Sequence, residues 1–210
     1  MGRFALAVSL VLMSSTLAYT QTQTGNRPTF AVGDTWTFTQ RTPQIGEEAK
    51  IAKVEETGSY VVVRPNSSCP ACAWVYDKDL MLLQVLGEDG KPADASGFGF
   101  LGIGMRFLDF PLELKKTWRI EQHGLFRGNN VPYIIACTVS AYENVKTKAG
   151  TFKAYKIDRA WRIRVSTGPQ PSWNDMVWYS PEAKTVVKFE SGARGAQEWE
   201  LASYSLKSQQ

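Results

Sequence analysis

The chain has one histidine and three cysteines, and after its first segment it has no apolar run long enough to cross a bilayer. Long helical stripes with a 3.6-residue apolar period are also missing, so helix packing is not how this sequence builds a core. With His123 as the sole imidazole, any serine or cysteine triad would have to use it as the base. It stands beside Gly124 near a polar stretch, where a solvent-exposed histidine is the expectation. Basic residues exceed acidic ones by four formal charges but are scattered along the chain. A nucleic-acid footprint needs a concentrated basic patch, so no nucleic-acid partner is expected. What remains is ordinary for a globular protein: 210 residues with 43% hydrophobic content, enough to bury a core in one large domain.

The first 18 residues read as a signal peptide. Arg3 supplies a positive start, residues 4–13 form a short apolar run, and residues 14–18 are mostly small and end at Ala18. Export to the periplasm or the exterior follows. No cysteine comes directly after the apolar run to serve as a lipid attachment point. Residues 19–29 are polar and read as a flexible lead-in to a single all-β domain over residues 30–208.

The domain is patterned as strands separated by turn formers. Residues 36–39 (WTFT) alternate apolar and polar, residues 50–56 form a second strand, and YVVVR at 60–64 is β-branched and aromatic. Residues 73–76 and 80–86 predict a hairpin around an Asp-Lys-Asp turn, and residues 97–111 are apolar but too glycine-rich for a helix. That stretch reads as a connector, taken as 97–109, between two halves at about 30–96 and 110–206. In the second half a strand starts at 118–120 and residues 123–130 read as a loop. A long strand over 131–146 then turns at Gly150 and returns over 151–165. On the returning strand Tyr155, Ile157, Trp161, Ile163 and Val165 share one face, interrupted only by Arg159. Residues 177–179 and 185–189 form a hairpin around Ser180, Pro181 and Glu182, residues 192–195 turn, and residues 199–206 close the sheet.

Two short motifs recur. VGDTW at 32–36 parallels LKKTW at 114–118, and the hairpin after Trp74 parallels the one after Val177. Together they predict an all-β fold, an antiparallel β-sandwich or partly open barrel, made of two duplicated β-meander halves. VGDTW (32–36), FPLELKKTW (110–118), AGTFKAYKI (149–157), WYSPEAKTVVKFE (178–190) and ELASYSL (200–206) also resemble a signature of exported bacterial proteins of unknown function. In that group an alanine-glycine-threonine-phenylalanine turn precedes a strand and a tryptophan-tyrosine-x-proline hairpin follows. The resemblance spans most of the mature chain and departs at Lys115 and Lys116, where such proteins often carry a glycine. It implies an exported all-β module and transfers no catalytic residue.

Chemical motifs are few. Cys69-Pro-Ala-Cys72 has the spacing of a redox pair, but a strand-like AWVY follows where a thiol-activating helix would be needed. A structural disulfide between Cys69 and Cys72 is the expectation, with a thiol–disulfide redox protein as the alternative. Cys137 alternates with Tyr133, Ile135 and Val139 and reads as a free core thiol. A zinc site of the three cysteines with His123 would need Cys137 to leave that face, so no metal is expected. GFGFLG at 97–102 matches a dinucleotide fingerprint in letters only, because no strand leads into it and no helix leaves it; no cofactor is expected. Asp109, Glu121, Asp158, Asp175 and Glu182 could supply a catalytic pair, yet the sequence selects none, and no catalytic residue is assigned. Seven tryptophans enrich the aromatic content. Trp36, Trp118, Trp161 and Trp178 read as core, whereas Trp173, beside Pro171, reads as a loop residue and the best candidate ligand contact. The functional expectation is a non-enzymatic exported module that binds an apolar ligand or an envelope component, with a lipid, a glycan or an envelope protein as partner.

Overall fold

The computed structural model describes residues 24–40, 46–65, 69–93, 103–126, 129–193 and 198–207. The expected signal peptide, the glycine-rich 97–102 and residues 194 and 195 of the expected turn at 192–195 lie outside the described residues. In chain order the strands are β1 (Thr35–Gln40), β2 (Gly46–Val54), β3 (Tyr60–Val63), β4 (Ala73–Tyr76) and β5 (Leu82–Leu86). They continue with β6 (Thr117–Phe126), β7 (Asn129–Thr147), β8 (Gly150–Ile163), β9 (Ser172–Ser180), β10 (Thr185–Ser191) and β11 (Trp199–Ser205). No helix occurs among the described residues.

All eleven strands belong to one antiparallel sheet in the order β5-β4-β3-β2-β1-β11-β10-β9-β8-β7-β6. The all-β expectation holds in its open form: a single continuous sheet, with β5 and β6 left at its two edges, rather than two stacked sheets. Two five-strand meanders, β1–β5 and β6–β10, run the same way across it, and β11 is inserted between β1 and β10. Register shifts interrupt five of the ladders, and such bulges add bend and twist, so the sheet coils instead of lying flat.

The two recurring turns are built alike. Ahead of β1, Gly33 N–H donates to Ile51 O (2.9 Å) and Ile51 N–H returns to Asp34 O (2.9 Å). Ahead of β6, Lys115 N–H donates to Val139 O (2.8 Å) and Val139 N–H returns to Lys116 O (2.9 Å). Both turns place their second residue in the left-handed region, Gly33 at φ 92° and Lys115 at φ 69°. Lys115 therefore occupies the position where a glycine is the easier choice. The two hairpins match in the same way, since Leu80 before β5 and Lys184 before β10 have φ of 61° and 55°.

Tertiary pairing overrides local propensity in two places. Residues 123–130, expected as a loop, instead extend β6 to Phe126 and start β7 at Asn129, with His123 opposite Pro132 and Phe126 opposite Asn129. Gly124, Asn129 and Asn130 are poor strand formers, but each takes a place in the β6–β7 ladder. Likewise β9 starts at Ser172, because residues 172–176 pair with residues 158–162 of β8.

Open edges need covering. Here the connector covers both. Gly104 N–H donates to Leu82 O of β5 (2.8 Å), while on the β6 side Trp118 Nε1 donates to Arg106 O (3.0 Å) and Gln122 Nε2 to Ile103 O (3.3 Å). Along this segment Met105, Leu108, Phe110 and Leu112 are buried and pack against β6–β9. Of the stretch read as a flexible lead-in, residues 24–29 are described, and they are held against the sheet. Gly25 exchanges backbone hydrogen bonds with Leu112 (2.8 Å each way), and a Cβ on Gly25 would meet the Tyr155 ring at 2.6 Å. Arg27 pairs with the buried Asp79, which also faces Arg106 at 3.4 Å.

Buried side chains form two clusters. One joins β1–β5 to parts of β7–β11 around Trp36, Ile51, Tyr60 and Trp74. The other joins residues 105–112 to β6–β9 around Ile135, Ile157 and Tyr179, and it contains the free Cys137. Trp36, Trp161 and Trp178 are buried as expected, whereas Trp118 is only half-buried.

The shared turn geometry makes a paired prediction. Gly33→Ala is expected to lower the unfolding free energy by about 1 kcal/mol or more, because alanine is strained at this φ. Lys115→Gly is expected to leave stability unchanged or to raise it. Urea unfolding of both variants is the check, and the opposite pattern would contradict the equivalence of the two turns.

Candidate functional site

Strands β8 and β9 place four cross-strand pairs on one face of the sheet: Tyr155–Tyr179, Ile157–Val177, Arg159–Asp175 and Trp161–Trp173. Successive residues of a strand point to opposite faces, so these alternating positions line up. Trp161 and Trp173 stack with ring centroids 5.2 Å apart and planes 12° from parallel. Trp173 is thus a half-buried strand residue, not the exposed loop residue expected from Pro171.

The coiled sheet borders a cavity of about 680 Å³ between the two buried clusters, about half open to solvent. Trp36, Phe38, Ile51 and Tyr60 form part of its wall on one side, and Phe107, Trp161, Ile163 and Trp173 form part on the other. Edge-to-face contacts hold these rings in place: Phe30 sits 5.4 Å from Trp36 and 4.6 Å from Tyr60, and Phe38 sits 5.1 Å from Trp199. A volume of this size, walled by aromatic and aliphatic groups with a few polar ones, is the usual form of a small-molecule site.

Arg159 and Asp175 are the polar exception. Both are buried, at 8% and 3% exposure, and the Arg159 Nε–H donates to Asp175 Oδ1. The guanidinium lies 4.8 Å from the Phe107 ring centre, 5.7 Å from Phe189 and 5.8 Å from Trp161, so aromatic rings surround it. Burial pushes the Asp175 carboxyl above its ordinary value, and the adjacent guanidinium only partly offsets this. A second polar feature is Gln40, which lines the cavity and whose buried Oε1 has no hydrogen-bond donor among the described residues.

No family model matches the chain, and no curated protein does. Among solved structures it is similar to a candidate lipoprotein from Parabacteroides distasonis, with TM-score 0.49, 12% identity, and coverage of 86% of this chain and 99% of that one. It is also similar to the hypothetical lipoprotein YmcC from Escherichia coli, with TM-score 0.44, 10% identity and coverage of 85% and 89%. A third is a candidate exported protein with a YmcC-like fold from Bacteroides fragilis, with TM-score 0.43, 11% identity and coverage of 86% and 99%.

The other residues singled out in the sequence lie apart from one another. The five acidic residues have separate partners: Asp109 with Lys116 (2.9 Å), Glu121 with Arg119 (2.6 Å), Asp158 with Lys156 (3.6 Å), Asp175 with Arg159, and Glu182 with the Tyr204 hydroxyl (3.3 Å). No two of them share a partner. Cys69 and Cys72 stand at disulfide distance, Cα atoms 5.3 Å apart, in the turn that leads directly into β4. A strand follows the pair, and no helix N-terminus stands beside it among the described residues. Cys137 lies opposite Trp118 in the β6–β7 ladder, and burial pushes its thiol up to about 12. His123 is exposed and five residues from Trp118 along β6, which puts it on the opposite face from Cys137. A site combining those two residues is therefore not formed.

The Arg159–Asp175 pair is what sequence reading missed. Its signal was present, since Arg159 is the one charge between Tyr155 and Val165 on an otherwise apolar strand face. Only the β8–β9 register identifies Asp175 as the facing residue. Removing one partner of a buried ion pair leaves an uncompensated charge, a loss of about 3–5 kcal/mol. Arg159→Met alone is expected to lower stability by that order in denaturant unfolding, and Arg159→Met with Asp175→Leu to recover most of it. A single variant as stable as the parent would show that the pair is not buried.

Proposed function

We propose that this is a non-enzymatic exported binding module that holds an apolar ligand in the cavity of its coiled sheet. The cavity itself carries the reading: about 680 Å³ of space walled mainly by aromatic and aliphatic side chains. A half-open apolar concavity of this size beside two well-packed clusters is the usual setting of a ligand supplied from outside. The separation of the acidic residues, of His123 and of the cysteine pair favours binding over catalysis. Export is supported by the N-terminal pattern of Arg3, the apolar run and the small residues before Ala18, together with the Cys69–Cys72 pair.

A neutral hydrophobic fluorophore tests this. N-phenyl-1-naphthylamine is expected to bind the purified protein with enhanced emission at about one site per chain. Ala49 lines the cavity opposite Trp36. Ala49→Phe is expected to abolish that binding while thermal stability is kept, because the added ring enters open space. Absence of binding by the parent protein, or undiminished binding by a folded Ala49→Phe variant, would count against the cavity as the site.

A further inference from the structure

We infer that the cavity takes an acid-bearing amphiphile, a hydrocarbon body with one carboxylate or phosphate group, seated with that group on the Arg159 guanidinium. This rests on the reading of the cavity as a ligand site and adds the class of ligand.

A guanidinium carries five N–H donors in a rigid fork. At Arg159 the Nε–H, given to Asp175, is the only one with an acceptor among the described residues. The side chain is 9% exposed and lies on the cavity wall, and its terminal nitrogens are not among the fully buried unpaired atoms, so they keep access to the open space of the cavity. Donors of a charged group in so confined a place favour a charged acceptor. The rings of Phe107, Trp161 and Phe189 lie close to the guanidinium, which favours approach of an acceptor in its own plane. A planar carboxylate or a phosphate edge fits that fork with two parallel hydrogen bonds. Asp175 fixes the guanidinium through Nε and leaves the terminal nitrogens for the ligand.

The wider charge balance agrees. Among the described residues Arg64, Arg159 and Lys184 line the cavity against Asp175 as the one acidic residue, so this part of the wall favours an anion. A neutral ester or alcohol would fill the apolar volume and leave that charge unmatched.

The test measures displacement of N-phenyl-1-naphthylamine from the full chain by dodecanoic acid, dodecyl phosphate and methyl dodecanoate, below their aggregation concentrations. At least one of the acids is expected to bind about tenfold or more tightly than the ester, the scale of a charge-assisted hydrogen-bonded pair. Preference between the two acids identifies a carboxylate or a phosphate source. In the Arg159→Met and Asp175→Leu double variant, which keeps the wall apolar, the preference for acid is expected to vanish while the ester still binds. Equal binding of acids and ester by the parent, or displacement of the bound fluorophore by none of the three, overturns this inference and leaves the apolar site standing, whereas a parent that does not bind the fluorophore removes both. An acid preference that survives in the double variant overturns the assignment to Arg159.

Discussion

A coiled sheet of eleven strands encloses more space than its own side chains can fill. A closed barrel of eight strands has an interior just wide enough for side chains to pack it, and this sheet has more strands and stays open. The rest of the molecule follows from that constraint. The sheet does not close on itself, so β5 and β6 are left as edges, and residues 103–112 bridge them with hydrogen bonds to both sides. Residues 24–30 are drawn across as well, with Gly25 bridged to Leu112 and Phe30 set on Trp36 and Tyr60. The two buried clusters stabilise the wall, and the space between them stays open.

Much of this was legible from residues alone, and for physical reasons. Alternation on β1, β7 and β8 marks strands directly, because a period of two has no other reading. The paired turns at 32–36 and 114–118 disclosed a doubled meander through composition, and their hydrogen bonds and left-handed φ values are the same even where Gly33 is replaced by Lys115. The lengthened β6 and β9 were not legible. Their terminal residues, such as Gly124 and Trp173 near Pro171, take strand geometry from a partner that local propensity does not contain. Nor was the connector's place, since nothing in residues 103–112 names β5 and β6 as the edges it covers.

The cavity shows how far pattern reading extends into function. Apolar alternation predicts an apolar interior, and it is silent on whether that interior is filled. A charge at Arg159 looked like a break in an apolar face. In the sheet it faces Asp175 among aromatic rings, and a buried ion pair of this kind contributes less to stability than well-packed hydrophobic side chains of similar volume. Its place on the wall of a cavity gives it a use in recognition instead. The aromatic residues take the body of a ligand and the guanidinium takes its polar end, which makes the site selective by chemistry as well as by volume.

The central claim is that the space between the two clusters is a binding site for a carried molecule. Native mass spectrometry of the protein isolated from the cells that produce it tests this most directly. The account predicts a population carrying one bound molecule per chain, released on denaturation and identified in the organic extract as an amphiphile bearing an acid group. A protein that emerges only at its bare mass, and gains none when incubated with an extract of cell lipids, would contradict it.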